Sequence, residues 1–349
     1  MLVNSVKLNN YRNYKSKYLE FSPNLNIILG KNGVGKTNIL ESLLVVSNTK
    51  SFRTLNDRDL IKKGEQYCKI ECLNNFNKYK VVISDNGKKL YFNEVLVKKT
   101  SEYIGKLNCV LFKPSDLNLF NDSPKDRRRL LDIEIGKTNK QYLNNLLEYN
   151  LLLKNKNKLL KEEKIDLNYL EILETKMLTE MEVIIKTRED FFNIINKYLN
   201  DYYYNIANEN LNLRVVYKKC SEVEKLKDNL LKSHEKDTFY HYTTFGIHHE
   251  DYNFYTNDER IEVLASQGQT RMILIAFKLA LKEYIKEKIN DVPILLLDDI
   301  LSELDIGNRE RLLNIIPKDT QVIITGTDLK GINIRENFNL IEIKEDTNV

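Results

Sequence analysis

Leu25-Asn26-Ile27-Ile28-Leu29-Gly30-Lys31-Asn32-Gly33-Val34-Gly35-Lys36-Thr37 is the stretch on which the fold turns. Its first five residues are an apolar run that stops abruptly at a glycine, as a buried central strand does. The next eight fit G-x-x-x-x-G-K-[ST], and Ile39, Leu40, Leu43 and Leu44 then fall on one helical face. Strand, glycine-rich turn and helix form the context in which this pattern holds phosphate. Glycines let the backbone wrap anionic oxygens with inward N–H groups at the positive end of the helix. We therefore expect Gly30, Lys31, Asn32, Gly33, Val34, Gly35, Lys36 and Thr37 to bind ATP. Lys36 would reach the β/γ oxygens and serve catalysis, and the Thr37 hydroxyl would ligate Mg²⁺.

A phosphate loop needs an acid beside it. Ile294-Leu295-Leu296-Leu297 is a second apolar run, and it ends in Asp298-Asp299. A strand of this kind sets Asp298 next to the loop as a Mg²⁺ partner. Asp299 is then placed to orient or deprotonate the attacking water. Together the two stretches predict an α/β fold, a P-loop ATPase head with mixed sheets.

The bulk composition allows this. The chain has 349 residues, 42% hydrophobic, enough for one large α/β domain plus an appendage. A net charge of +4, from 54 basic and 50 acidic residues, points weakly to nucleic acid, so local clusters must carry any such reading. Cys68, Cys72, Cys109 and Cys220 are scattered, with neither disulfide-framework nor zinc-finger spacing. Cys68 and Cys72 lie in an alternating strand pattern and read as buried thiols. No apolar run approaches the roughly 20 residues of a membrane span, and the N-terminus opens on a strand pattern rather than a leader. A cytoplasmic protein is expected.

Strand patterns also cover Leu2 to Leu8, Tyr18 to Phe21, Cys68 to Ile70, Tyr79 to Ile83 and Leu90 to Val97, with a turn at Asp85-Asn86-Gly87. They predict an antiparallel sheet flanking the nucleotide site. From Asn139 to Leu199 there is neither proline nor glycine, and apolar residues recur at helical spacing. Leu143, Leu146, Leu147 and Leu151 make one stripe; Leu170, Leu173, Met177, Met181, Ile184 and Ile185 make another. Asp166 is placed to cap the second helix. The expectation is an inserted helical hairpin arm. The head's N-terminal part would then be residues 1–137, the arm 138–205 and the head's C-terminal part 206–349. Strands resume after residue 213, a helix follows from Gln269 to Glu287, and Gln321 to Thr325 is a further buried strand.

Three short segments narrow the class. Ala265-Ser266-Gln267-Gly268-Gln269 resembles the ABC signature, Ser302-Glu303-Leu304-Asp305 the ABC D-loop, and Thr325-Gly326-Thr327 occupies the place of the ABC switch residue. Asn10-Tyr11-Arg12-Asn13-Tyr14 and the form of the phosphate loop point to the chromosome-maintenance branch with SMC, Rad50 and RecF. Leu8 to Tyr14, Phe112-Lys113-Pro114-Ser115-Asp116-Leu117 and Ser123-Pro124-Lys125-Asp126-Arg127-Arg128-Arg129 resemble RecF stretches. So do Asp298-Asp299, where the other two usually carry glutamate in second place, and the short arm. The resemblance to the RecF family covers essentially the whole chain. One segment departs: Gly246-Ile247-His248-His249-Glu250-Asp251 stands where the family typically has Gly-Pro-His-Arg-Asp-Asp, so His249 replaces an arginine.

The resemblance implies an ATP-dependent DNA-binding protein of recombinational repair and replication restart, cytoplasmic and nucleoid-associated. It implies a weak, DNA-stimulated ATPase with ATP and Mg²⁺ as cofactors. ATP would join two copies into a homodimer that clamps double-stranded DNA near gaps and, with RecR and RecO, assists RecA loading. It adds Arg12, Ser266, Gly268, Gln269, Asp305 and Thr327 to the nucleotide-binding set, the signature acting on a second copy's γ-phosphate. The rivals are an SMC- or Rad50-like DNA tether, which needs a far longer coil, and a transporter ATPase subunit, which needs a Gln-bearing loop and a membrane partner. For DNA-phosphate or intersubunit contact the candidates are Arg127, Arg128 and Arg129, since arginine forks suit phosphates. Pairing with Asp126 and Asp132 inside the head is the competing reading. Lys154, Lys156, Lys158, Lys161 and Lys164 on the arm are either DNA contacts or a solvated face.

Overall fold

The computed structural model describes residues 1–328 and 338–344, without the side chain of Glu303 from the D-loop segment. It divides into two compact units. One comprises Met1–Leu117, Asp201–Glu209 and Arg271–Val349; the other comprises Asn118–Asn200 and Asn210–Thr270. Of the helical segment expected over 138–205, residues 138–200 fall in the second unit together with 118–137 and 210–270, and residues 201–205 fall in the first.

In the first unit a parallel sheet runs, edge to edge, through Phe338–Glu342, Leu25–Leu29, Val322–Gly326, Ile294–Asp298 and Cys109–Phe112. Its central strands are continuous apolar runs because both faces are covered. An antiparallel sheet follows the order Tyr14–Glu20, Ser5–Tyr11, Tyr67–Leu73, Lys78–Ser84, Gly87–Phe92 and Val95–Val97. Its alternation puts Val6, Leu8, Ile70, Val81 and Ile83 into the core. Cys68 and Cys72 lie in that core as free, fully buried thiols, and burial pushes the Cys68 thiol up to about 12. The strand pattern expected over Leu90 to Val97 is split by a two-residue turn, Asn93-Glu94, both at positive φ (49° and 64°). The helix Lys36–Asn48 touches strands of both sheets, which is why it buries ten residues rather than a single stripe.

The second unit holds the helices Pro124–Thr138, Lys140–Leu159 and Leu167–Ala207 up to Asn200, a three-stranded sheet, and the short helices Leu226–Lys232 and His234–Tyr240. Asp166 caps the long helix, its Oδ1 accepting from the amides of Asn168 (3.0 Å) and Tyr169 (3.1 Å). The stripe from Leu170 to Ile185 is buried as expected. The stripe on the preceding helix is not: Leu147 and Leu151 are exposed, and the buried positions are Tyr142, Tyr149, Leu152, Lys156 and Leu159. The cause is polar. Lys156 is fully buried between Glu174 (2.7 Å) and Asp237 (2.8 Å), so an ionic contact turns that face inward.

Candidate nucleotide site

The strands Leu25–Leu29, Val322–Gly326 and Ile294–Asp298 end at one edge of the parallel sheet. In register, Asp298 lies opposite Thr325 and Thr325 opposite Ile28, so the strands that lead to Gly30 and end in Asp298 flank Val322–Gly326 and leave the sheet at the same edge. That edge is where open α/β sheets bind ligands. The loop turns through Gly33 (φ 87°) and Gly35 (φ 105°), backbone that a side chain would strain. At Gly35 a Cβ would also stand 2.6 Å from Tyr14 Oη and 2.7 Å from Asn13 Nδ2. Asn13 Nδ2 (3.1 Å) and Tyr14 Oη (3.3 Å) donate to the Val34 carbonyl, so the opening Asn-Tyr-Arg-Asn-Tyr segment braces the loop from outside.

Lys36 lies across the loop, its Nζ donating to the carbonyls of Gly30 (2.6 Å) and Lys31 (2.9 Å). Burial draws its pKa below the usual lysine value, while Asp299 and Asp298 oppose that shift. The Thr37 hydroxyl donates to Asp298 Oδ1 at 2.9 Å, and the Thr325 hydroxyl donates to the same oxygen at 2.8 Å. Burial raises the Asp298 carboxyl above the ordinary carboxylate range, these two hydrogen bonds work against it, and neighbouring Asp299 adds to it. Asp299 is at positive φ (53°), and its amide donates to Thr325 Oγ1 at 3.0 Å. Thr325 thereby ties both acids, a role the sequence reading had not assigned to it. Its signals were a hydroxyl at the end of an apolar strand and its place in the switch segment Thr325-Gly326-Thr327.

The cradle fits a nucleotide triphosphate with a hard divalent cation. Thr37 and Asp298 present hydroxyl and carboxylate oxygens within 3 Å of each other, the donor type Mg²⁺ takes.

The remaining expected residues are distributed as follows. Arg12 is gripped by fully buried Glu41 through Nε (2.8 Å) and Nη2 (2.6 Å), and its Nη1 donates to the Asp59 carbonyl (2.9 Å). Its charge is neutralised on the helix that follows the loop. Asp305 caps the helix Ile306–Ile315 by accepting from the Asn308 amide at 2.8 Å. Thr327 is exposed just past its strand. Ser266, Gly268 and Gln269 belong to the second unit and open the helix Gln267–Ile289. The Ser266 hydroxyl accepts from the Gln269 amide (3.2 Å), and Gln269 Oε1 accepts from the Ser266 amide (3.0 Å), a reciprocal capping box. A Cβ at Gly268 would meet only Ser266 Oγ, at 3.9 Å, so nothing in this chain requires glycine there.

The arginine cluster is corrected by the structure. Arg127 is buried and bidentate to Asp251 (2.8 and 2.6 Å), with a third bond to the Asp122 carbonyl. It is not a surface phosphate contact, and its partner is neither Asp126 nor Asp132. Arg128 is half-buried and donates to the Glu250 carbonyl (2.6 Å); burial, then Arg188, lowers its pKa. Arg129 alone of the three is exposed. Asp132 instead receives fully buried Arg188 (2.8 Å), which also holds Glu250 (2.6 Å). Lys156 is likewise no surface cation. Where the family arginine is replaced, His249 Nε2 donates to the Thr243 carbonyl (3.4 Å); its neighbour His248 donates from Nε2 to the same carbonyl (3.2 Å) and accepts from Tyr149 Oη at Nδ1 (2.7 Å). Burial, with His249 beside it, pushes His248 down to about 4, so it carries no positive charge near neutrality.

This strand–loop–helix edge, set in a parallel sheet with an antiparallel sheet beside it, defines an ABC-type ATPase head. The family model described as the RecF/RecN/SMC N terminal domain matches residues 2–347, and the chain belongs to that family. Within it the chain is similar to the DNA replication and repair protein RecF of Geobacillus sp. (strain WCH70), at 36% identity over 95% of this chain and 94% of that one. It is also similar to the solved recombination mediator protein RecF-ATPrS in the RecFOR pathway: TM-score 0.88, 30% identity, 99% of this chain and 96% of the other. The Smc head domain of Pyrococcus furiosus, bound to the C-terminal domain of ScpA, shares the fold at TM-score 0.53 and 19% identity, over 93% and 89%. No helix among the described residues is long and apolar enough to cross a membrane.

Proposed function

We propose that this chain is an ATP-dependent DNA-binding protein of recombinational repair and replication restart. ATP joins two copies around duplex DNA beside single-stranded gaps, and the dimer works with RecR and RecO in RecA loading. The observation that carries the reading is the Thr37–Asp298 contact at the mouth of the glycine cradle, in a chain similar over its length to RecF proteins, one of them solved with ATPrS.

In this reading Gly30 to Gly35 wrap the phosphates, and Lys36 leaves the Gly30 and Lys31 carbonyls for the β/γ oxygens. Thr37 and Asp298 hold Mg²⁺, which when bound offsets phosphate charge. Asp299, held through its amide by Thr325, orients the attacking water and accepts its proton. Ser266, Gly268 and Gln269 of a second copy close on the γ-phosphate. The open space at Gly268 favours this, because a glycine unneeded by its own chain suits close approach from outside. Arg12 acts through Glu41, as a support of the loop helix rather than as a phosphate ligand. DNA phosphates are met by exposed cations such as Lys125 and Arg129.

Sedimentation with ATP, with ADP and with gapped DNA tests this. ATP and not ADP should dimerise the chain, and Ser266→Arg should keep monomer ATP binding yet abolish dimerisation. A Ser266→Arg variant that still dimerises with ATP would sink the assignment of the signature to a second copy.

A further inference from the structure

The helix His234–Tyr240 ends in a cluster of rings that the nucleotide site does not use. Phe239, Tyr240 and Tyr242 are 76%, 53% and 48% exposed. Phe239 and Tyr240 meet edge-on with centroids 5.0 Å apart, and Tyr240 and Tyr242 lie tilted at 5.8 Å. Contiguous exposed aromatic surface of this kind marks a contact site more often than chance.

The cluster is pinned to the end of another helix. His241, at positive φ (58°), donates from Nδ1 to the Leu160 carbonyl at 2.9 Å. Thr243 donates to Asn157 Oδ1 through its amide (2.7 Å) and its hydroxyl (2.8 Å). The rings are therefore tied to the last turn of Lys140–Leu159, which carries exposed Lys158, with exposed Lys154 in the turn before it and exposed Lys161 just beyond. Among the described residues no ion pair engages these three lysines, whereas Lys156 between them is neutralised in the core. Acidic Glu162 and Glu163 lie further along the turn.

We propose that Phe239, Tyr240 and Tyr242, flanked by Lys158 and Lys161, form a stacking platform for single-stranded DNA. Rings with open faces accept any base, and cations beside them hold the backbone without reading sequence. Charge complementarity selects this occupant: a protein strand needs no row of unpaired cations beside its apolar contact. The inference rests on the DNA-binding reading above and deepens it, giving the gap's unpaired strand a place of its own.

Fluorescence anisotropy on the full chain with ATP and Mg²⁺ tests it, using a labelled thymidine oligomer, an abasic oligomer of equal charge and a labelled duplex. Phe239→Ala/Tyr240→Ala/Tyr242→Ala is expected to weaken thymidine-oligomer binding about tenfold or more and to leave duplex binding unchanged. The wild type should prefer the thymidine to the abasic oligomer by a similar factor, and the triple variant should not distinguish them. Lys158→Glu/Lys161→Glu should weaken both oligomers and flatten their salt dependence. Wild-type affinities equal for thymidine and abasic oligomers overturn the platform, as does a triple variant with unchanged thymidine affinity. If the alanine variant melts early, the leucine triple variant keeps the apolar bulk without the rings; retained base preference there also overturns it. Should the trio instead bind a second copy, sedimentation would change in the variant while oligomer affinity held, again refuting the proposal. A wild type that binds the thymidine oligomer but not the duplex would count against the clamp and leave the platform standing.

Discussion

Replacing Arg127 by alanine separates a DNA contact from a structural one. In the fold, its guanidinium is bidentate to Asp251 and donates once more to the Asp122 carbonyl. The two side chains keep 9% and 16% of their exposure. Removing one partner of a buried pair typically costs ~3–5 kcal/mol, because the other charge is left desolvated. Asp251 retains some solvent, so we expect the low end, about 3 kcal/mol, or on the order of a hundredfold in the folding equilibrium of the second unit. Urea unfolding followed by a probe within that unit measures it. Arg127→Ala/Asp251→Ala should regain about 1 kcal/mol or more, since the stranded carboxylate is gone. Arg129→Ala, at an exposed position, should change stability by less than about 0.5 kcal/mol. If Arg129 meets a phosphate, the slope of log affinity against log salt should fall by roughly 0.9 in that variant. An Arg127→Ala protein that unfolds like the wild type yet loses DNA affinity would refute the structural assignment.

Asp299→Asn keeps the shape of the site but removes a proton acceptor, so ATP turnover should drop about 10²–10⁴-fold with a longer-lived ATP dimer; unchanged turnover would move the base elsewhere. Burial raises the Asp298 carboxyl, so protons compete with Mg²⁺ up to a higher pH than at an ordinary aspartate. Mg²⁺ affinity at fixed ATP should accordingly keep climbing with pH beyond the ordinary carboxylate range; a flat profile would exclude Asp298 as a ligand. The same raised pKa means that ionised Asp298 costs stability once pH exceeds the ordinary carboxylate value. Asp298→Asn should therefore raise the melting temperature at neutral pH, with the gain vanishing in acid. Lys156→Ala strands buried Glu174 and Asp237 and should destabilise by at least about 3 kcal/mol, while Lys158→Ala next to it should be near neutral in the same melt.

Local order made the nucleotide edge readable. Strand, glycines, Lys36 and Thr37 are contiguous, and their chemistry depends on backbone geometry that the glycines dictate. Asp298 is far away in sequence, yet an apolar run ending in acid predicts its place, since strands of one parallel sheet end at one edge. Thr325 was legible as a strand end and as part of the switch segment, but not as the residue that accepts from the Asp299 amide and donates to the Asp298 carboxylate, because only the strand register brings these together.

Periodicity did less well where charge is buried. The helix Lys140–Leu159 offers a leucine stripe and a tyrosine–lysine stripe, and hydrophobicity alone favours the leucines. Lys156 faces inward because Glu174 and Asp237, from two other helices, meet it there. The arginine triplet follows the same rule. Three adjacent residues look alike in sequence but point in different directions on a helix, so Arg127 finds Asp251, Arg128 a carbonyl and Arg129 solvent. The phosphate loop, its acid partner, the Asp166 cap of the long helix and the family were all legible along the chain. Tertiary structure alone decided which charges are neutralised in the interior, because an ion's partner is chosen by distance in space, and pattern along the chain carries no measure of it.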